Sequence, residues 1–206
     1  MYGDFFDEKL ARRDADQYRR KGLGKASGAL VDLVADAGVD GASVLEIGGG
    51  TGTVEIELLG RGAARTTNVE ISPGYETEAR RLLRERGLED RVERYVGDLV
   101  ENPELAPDAD VVVLHRVVCC YPDYDALLAT ASAKARRFIA FSFPPDHALA
   151  RFLVRVLNLG QRLRGSAFRS FVHPEREMLA AVERQGLRVT TRRRSGVWRM
   201  ALLERV

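Results

Sequence analysis

Cysteine is scarce in this chain. Two of its 206 residues are cysteines, and they are neighbours, Cys119 and Cys120. A disulfide framework needs pairs spread along the chain and a zinc site needs ligands at set intervals, so neither is expected. The pair suits a reducing, cytoplasmic setting. Long apolar runs are also missing, and no stretch is long enough to span a bilayer. The acidic start, with Asp4, Asp7 and Glu8, lacks the apolar centre of a secretory signal. Nor is there an excess of one charge sign. The 32 Lys and Arg face 30 Asp and Glu, a net charge of +2, so no global field points to nucleic acid. No repeat, low-complexity segment or linker divides the chain. What is present, 45% hydrophobic and 30% charged residues over 206 positions, is enough for one domain with a single core.

Helical and strand-like patterns alternate along the chain. Residues 5–20 are charged and helical in type, anchored by Phe6, Leu10 and Tyr18 and closed by Gly22 and Gly24. Residues 27–37 read as an amphipathic helix with Leu30, Val31 and Val34 on one side. Further helices are expected at 53–59, 72–86 with Ser72-Pro73 at its start, 124–135, 147–163 and 174–185. Strands are expected at 43–47, 66–71, 92–96, 110–114, 137–143, 187–193 and 197–205. Such alternation implies a parallel sheet with helices on both faces. The last two strands have no helix between them, so they must pair as an antiparallel hairpin through a tight turn at Ser195-Gly196. The expected architecture is α/β: a doubly wound, seven-stranded sheet, mostly parallel, forming one domain over 1–206. An N-terminal helical segment would cover about 1–40 and a helical cap insert about 146–173.

The stretch from Val44 to Gly52 carries the most chemistry. A strand-like run ends at Glu46 and Ile47, and the loop Gly48-Gly49-Gly50-Thr51-Gly52 leads into a helix. Strand, glycine loop and helix together bind nucleotide-like ligands at the carboxyl ends of α/β strands. A dinucleotide fingerprint would place a third glycine where Thr53 stands. The charge of Glu46 would oppose a pyrophosphate and favour a cation. An NAD(P)-dependent oxidoreductase is therefore the weaker alternative. S-adenosylmethionine carries a sulfonium and an ammonium and no phosphate.

Glu46-Ile47-Gly48-Gly49-Gly50-Thr51-Gly52 resembles the first motif of the class I S-adenosylmethionine-dependent methyltransferases, E/D-x-G-x-G-x-G. The resemblance implies a Rossmann-like fold and S-adenosylmethionine as cofactor. It also implies roles at two further strand ends. Glu70 would accept hydrogen bonds from the ribose hydroxyls, with Ile71 against the adenine. Asp98, beside Leu99, would accept one from the adenine amino group. Tyr18 of the N-terminal segment would close over the methionine end. In overall layout the chain is similar to the magnesium-protoporphyrin O-methyltransferase group and its bacterial relatives. Tyr121-Pro122 matches that group, and the preceding His115 to Cys120 departs from it. The implied activity is methyl transfer to a small molecule, with a cofactor-binding protein that does not turn over as the alternative. Nucleic-acid substrates are not expected, because no Asn-Pro-Pro-Tyr-type motif follows the fourth strand. No metal is required.

Methyl transfer from a sulfonium is an in-line displacement, which a protein promotes chiefly by proximity and alignment. A phenol or alcohol acceptor also needs a base. His115 is best placed for that role, with orientation of the methionine end as its other reading. Tyr121 is a candidate donor to the acceptor, and His173 is the second histidine candidate. In the predicted helix at 147–163, Phe152, Val156, Leu159 and Leu163 form one stripe, beside Arg151, Arg155 and Arg162. The simpler reading is a cap whose apolar side covers the sheet. The alternative is an insert that shapes the acceptor pocket and meets an acidic substrate or, by peripheral contact, an anionic membrane surface. No pattern reports the oligomeric state.

Overall fold

The computed structural model describes residues 6–206. The predicted helix start at residue 5 and the acidic residues before it lie outside the described residues. Helix α1 (Glu8–Lys21) begins where the Asp7 carboxylate accepts from the Leu10 amide at 2.8 Å. It is followed by α2 (Lys25–Asp36), β1 (Ser43–Ile47), α3 (Thr53–Gly60), β2 (Arg65–Glu70), α4 (Glu76–Arg86), β3 (Val92–Val96) and β4 (Ala109–Leu114). Then come α5 (Tyr124–Lys134), β5 (Ala135–Phe143), α6 (Ala148–Leu163), α7 (Glu175–Glu183), β6 (Leu187–Ser195) and β7 (Trp198–Arg205). The seven strands form one sheet in the order β3-β2-β1-β4-β5-β7-β6. All neighbours are parallel except β5–β7 and β6–β7. The doubly wound sheet with an antiparallel terminal hairpin is the architecture expected. Several boundaries move by one or two residues; α5, for example, ends at Lys134 and β5 begins at Ala135, two residues earlier than the apolar run suggests.

Both sheet faces are covered, which explains the unbroken apolar strands. In β4, Val112 and Leu114 enter the core on one face, with Ile139, Met178 and Leu187. Val111 and Val113 enter the core on the other, with Leu30, Leu58 and Phe138. All four β4 side chains are fully buried. The chain winds outward from β1 through β2 to β3, then returns to β4 beside β1 and winds the other way. The crevice at this reversal, at the carboxyl ends of β1 and β4, is where open α/β sheets bind ligands.

The expectation for α6 fails. Helix α6 does not cover the sheet, and none of its residues is buried. Its apolar stripe lies in solvent because the flanking segments set the helix off the sheet, whose faces are already packed by other helices.

Candidate functional site: a glycine-lined cleft at the sheet switch point

The loop after β1 is held close to the layer beneath it. The Gly48 amide donates to the Val69 carbonyl at 2.7 Å, and the Gly52 amide to the Gly49 carbonyl at 2.8 Å. Gly48 has φ 66°, and a Cβ there would stand 2.5 Å from Val117 Cγ2. At Gly49 a Cβ would fall 2.0 Å from Asn68 Nδ2 and 2.7 Å from Glu46 Cδ. Only glycine lets the main chain sit this close to its support while its upper side lines the cleft.

That support is a buried charge cluster, and it corrects the reading of Glu46. The Glu46 side chain does not face the cleft. It is 1% exposed, lies under Gly49, and accepts from the Glu55 amide at 3.0 Å. Burial, and then the neighbouring Glu55 carboxylate, push its pKa well above the usual carboxylate range. Arg94 joins the cluster together, donating to Glu55 at 2.8 Å, to Glu76 at 2.9 Å and to the Gly50 carbonyl at 2.8 Å. Burial alone would lower the Arg94 pKa, but Glu55 and Glu76 outweigh it and hold the guanidinium charged. Thr66 donates to Glu55 at 3.1 Å. None of these partners is marked by the glycine motif, and β3 read alone shows Arg94 as one more surface arginine.

Glu70 stands where expected, at the end of β2 and on the cleft wall. Its two oxygens accept from the Gly50 and Ser72 amides, each at 2.9 Å. Those donors orient the carboxylate and leave each oxygen a further lone pair. Burial pushes its pKa up, against the pull of these amide bonds.

Three adjoining cavities follow. The first, of about 60 Å³, lies between Ile71, Asp98, Leu99 and Tyr121. The second, about 220 Å³, runs over Gly48, Gly49, Gly50 and Thr51 and beneath Tyr18 and Ser27. The third, about 470 Å³, is bounded by Glu70, Cys119, Cys120, Phe168 and Trp198. Gly48 belongs to all three, and His115 lies between the second and third.

The structure sorts the remaining candidates. Asp98 accepts from the Val100 amide at 2.8 Å through one oxygen and from the Tyr121 hydroxyl at 2.9 Å through the other. Tyr121 is thus tied to the small cavity and also lines the large one. His115 is clamped through both ring nitrogens, with Ser142 Oγ 2.9 Å from Nδ1 and Ser27 Oγ 3.0 Å from Nε2. Burial, and then the Arg116 charge, push its pKa down to about 3. A neutral imidazole with so low a pKa is a weak proton acceptor, so the geometry favours the orienting role. His173 is not in the cleft: its Nε2 meets the Tyr121 carbonyl at 3.0 Å, and its ring stacks on Phe171 at 5.4 Å. It supports the backbone of Tyr121 from behind. The Tyr18 hydroxyl donates to Glu57 at 2.7 Å, so only its ring is presented to the cleft. Gly52 caps α3 with φ 76° and lies outside the cavities.

Several cleft residues escaped the sequence reading. Ser27 and Ser142 come from positions far from His115 in the chain, and no local signal marks them. Arg116 has φ 61°, a left-handed conformation that costs a non-glycine residue about 1–2 kcal/mol. Its amide donates to Ser142 Oγ at 2.9 Å and its guanidinium lies 4.8 Å over the Trp198 ring. Asp14 of α1 and Tyr75 also line both larger cavities. Among the described residues, no cluster of three or more metal-ligating side chains forms.

Comparison with known proteins agrees with this geometry. Residues 44–137 match a family model described as a methyltransferase domain. The chain is 36% identical over 155 residues to the mitomycin biosynthesis 6-O-methyltransferase of Streptomyces lavendulae. That match covers 72% of the chain and 42% of the relative, so the chain spans less than half of that protein's length. Among solved structures, magnesium protoporphyrin IX methyltransferase from Synechocystis PCC 6803 with bound SAH superposes with a TM-score of 0.77 at 21% identity, covering 100% of this chain and 98% of that one. An O-methyltransferase family protein from Burkholderia thailandensis gives 0.73 at 21% identity, over 94% and 60% of the two chains. Its glycine motif, its strand order and these relatives agree on the Rossmann-like fold of the class I S-adenosylmethionine-dependent methyltransferases, with residues 44–137 matching a methyltransferase domain.

Proposed function

We propose that the protein binds S-adenosylmethionine in the cleft and transfers its methyl group to a small, largely apolar acceptor in the large cavity. The observation that carries this is continuity. A narrow slot beside Asp98, a groove over the glycine loop and an apolar basin all adjoin Gly48, and Glu70 stands on the wall of the basin. The slot suits an adenine, with Asp98 at its edge and Ile71 and Leu99 at its walls. Glu70 has lone pairs free for the ribose hydroxyls. The groove suits the methionine end. When bound, the cofactor supplies an electrophilic methyl on a good leaving group. The residues of this chain then bind, orient and exclude water.

The acceptor basin, at about 470 Å³, is of the size that small-molecule sites use. Its walls combine Phe168, Trp198 and Val117 with a few polar groups. Tyr121, its hydroxyl directed by Asp98, is the group placed to align an acceptor. Neutral His115 holds the floor between cofactor and acceptor and keeps α2 and β5 in register there through its two serines. The thiols of Cys119 and Cys120 are free and face the basin, which accords with a reducing cytoplasm. A base among these side chains is not needed for an acceptor that reacts as an anion.

Calorimetry with S-adenosylhomocysteine and, separately, NAD tests the cofactor assignment. Binding of the first and not the second is expected, and the reverse result would remove the proposal. Mass detection of methylated product across a panel of phenols and aromatic carboxylic acids then separates an enzyme from a protein that only binds.

A further inference from the structure

Helix α6 differs from every other long helix of the described residues in burying nothing. Leu149, Phe152, Leu153, Val156, Leu157 and Leu163 are each between 52% and 80% exposed. Scattered exposed leucines need no explanation, but this many on one face of one helix do. The orientation is set by polar contacts on the opposite side. Asn158 donates to the Ser170 carbonyl and accepts from the Ser170 amide, both at 2.8 Å. At 100° per residue, the half-buried Val154 and Gln161 share the side of Asn158. The apolar stripe therefore points away from the body.

The charge of this region is equally one-sided. The chain as a whole is nearly balanced, yet residues 148–169 contain Arg151, Arg155, Arg162, Arg164 and Arg169 and no Asp or Glu. Arg151 pairs with Asp146. Arg155, Arg162 and Arg164 meet no carboxylate within ion-pair distance among the described residues. An anionic surface with an apolar interior satisfies both halves of the helix at once. Apolar side chains enter the acyl boundary and arginines extend to the headgroups.

We propose that α6 docks the protein on the surface of an anionic phospholipid bilayer, lying in the plane of the interface. No helix is long and apolar enough to cross a membrane, so this contact is peripheral. Ser170, to which α6 is anchored, and Phe168 both line the acceptor basin. Docking thus sets the basin beside the lipid, where a membrane-dissolved apolar acceptor would enter. That last step rests on the methyl-transfer reading, and the docking itself does not.

The test is co-sedimentation of the full chain with vesicles of phosphatidylcholine alone or with phosphatidylglycerol as a third of the lipid. Binding to the anionic vesicles is expected, with little to the neutral ones. The triple variant R155Q/R162Q/R164Q should lose roughly fivefold in partitioning per arginine removed. The variant F152S/V156S/L163S should fail to bind either vesicle. Because these side chains are exposed, both variants should keep the parent's affinity for S-adenosylhomocysteine, measured by calorimetry as the check on folding. Equal binding to both vesicles, or no binding to either, would overturn the proposal. So would a concentration-dependent dimer in sedimentation velocity that the serine variant abolishes, since a second copy would then be the occupant. If S-adenosylhomocysteine does not bind but the vesicles do, the cofactor reading falls and the docking stands.

Discussion

Helices α2 and α6 look alike as sequence and end in opposite situations. Each shows apolar residues at helical spacing, and α6 has the more sharply divided faces. Helix α2 buries Leu30, Val31, Leu33 and Val34 against β4 and β5. Helix α6 buries none of its side chains. An apolar stripe reports that a helix has a face to cover, not what covers it. What separates the two is room on the sheet. Helices α2 and α3 take one face, α5 and α7 the other, and Pro144 and Pro145 lead the chain away at the edge of β5 before α6 begins.

The contrast between a framework under tension and a free helix can be measured. The largest effect is expected at the charge cluster. Replacing Arg94 with Met leaves Glu55 buried without its cation, at a cost of about 3–5 kcal/mol in chemical denaturation. A loss of less than about 1 kcal/mol would mean that the carboxylates simply take up protons. Next comes Leu30→Ala in α2. Its side chain is 0% exposed, so about 2–5 kcal/mol of stability should go with it. In α6, Leu153→Ala should stay within about 0.5 kcal/mol of the parent. Equal costs for Leu30→Ala and Leu153→Ala would break the comparison, because α6 would then be covered in solution.

Smaller effects sharpen it at the site. Gly48→Ala should cost about 1–2 kcal/mol for its left-handed φ, and more if Val117 cannot move. It should also weaken S-adenosylhomocysteine binding in calorimetry more than it lowers the melting temperature. His115 supplies a pH dependence. Its folded-state pKa lies near 3, below the ordinary 6.5, so the folded protein binds fewer protons than the unfolded chain. The stability it contributes is complete above about pH 6.5 and is lost as pH falls toward about 3. A His115→Gln variant should show a flatter acid limb over that window in thermal melts. An unchanged limb would show that His115 is charged in the folded protein.

Much of this was legible because it is local. The glycine loop, the acidic residues at the ends of β2 and β3, and the alternation of helix and strand each lie within a few residues of one another. Glu70 and Asp98 stand at the cleft as their strand ends predict. Glu46 shows the limit of that reading. Its position before the loop is right, but β-strand alternation turns its side chain beneath Gly49 and into contact with Glu55, away from the cleft. His173 was misplaced for a similar reason. The segment before it reaches the basin through Phe168 and Ser170, but His173 itself turns behind Tyr121. Ser27, Ser142 and Arg94 were not legible, because each acquires its role from partners distant in the chain.

The sequence by itself determined a doubly wound sheet with a terminal hairpin and the type of loop that ends β1. Periodicity, glycine placement and strand-end charges are local properties, readable within single segments. The tertiary structure alone decided what each charged or apolar side chain meets. It set Glu46 under the loop with Glu55 and Arg94, held His115 neutral between two serines, and left the apolar face of α6 in solvent. Those outcomes depend on which surfaces remain free after the chain has packed, and no single segment carries that information.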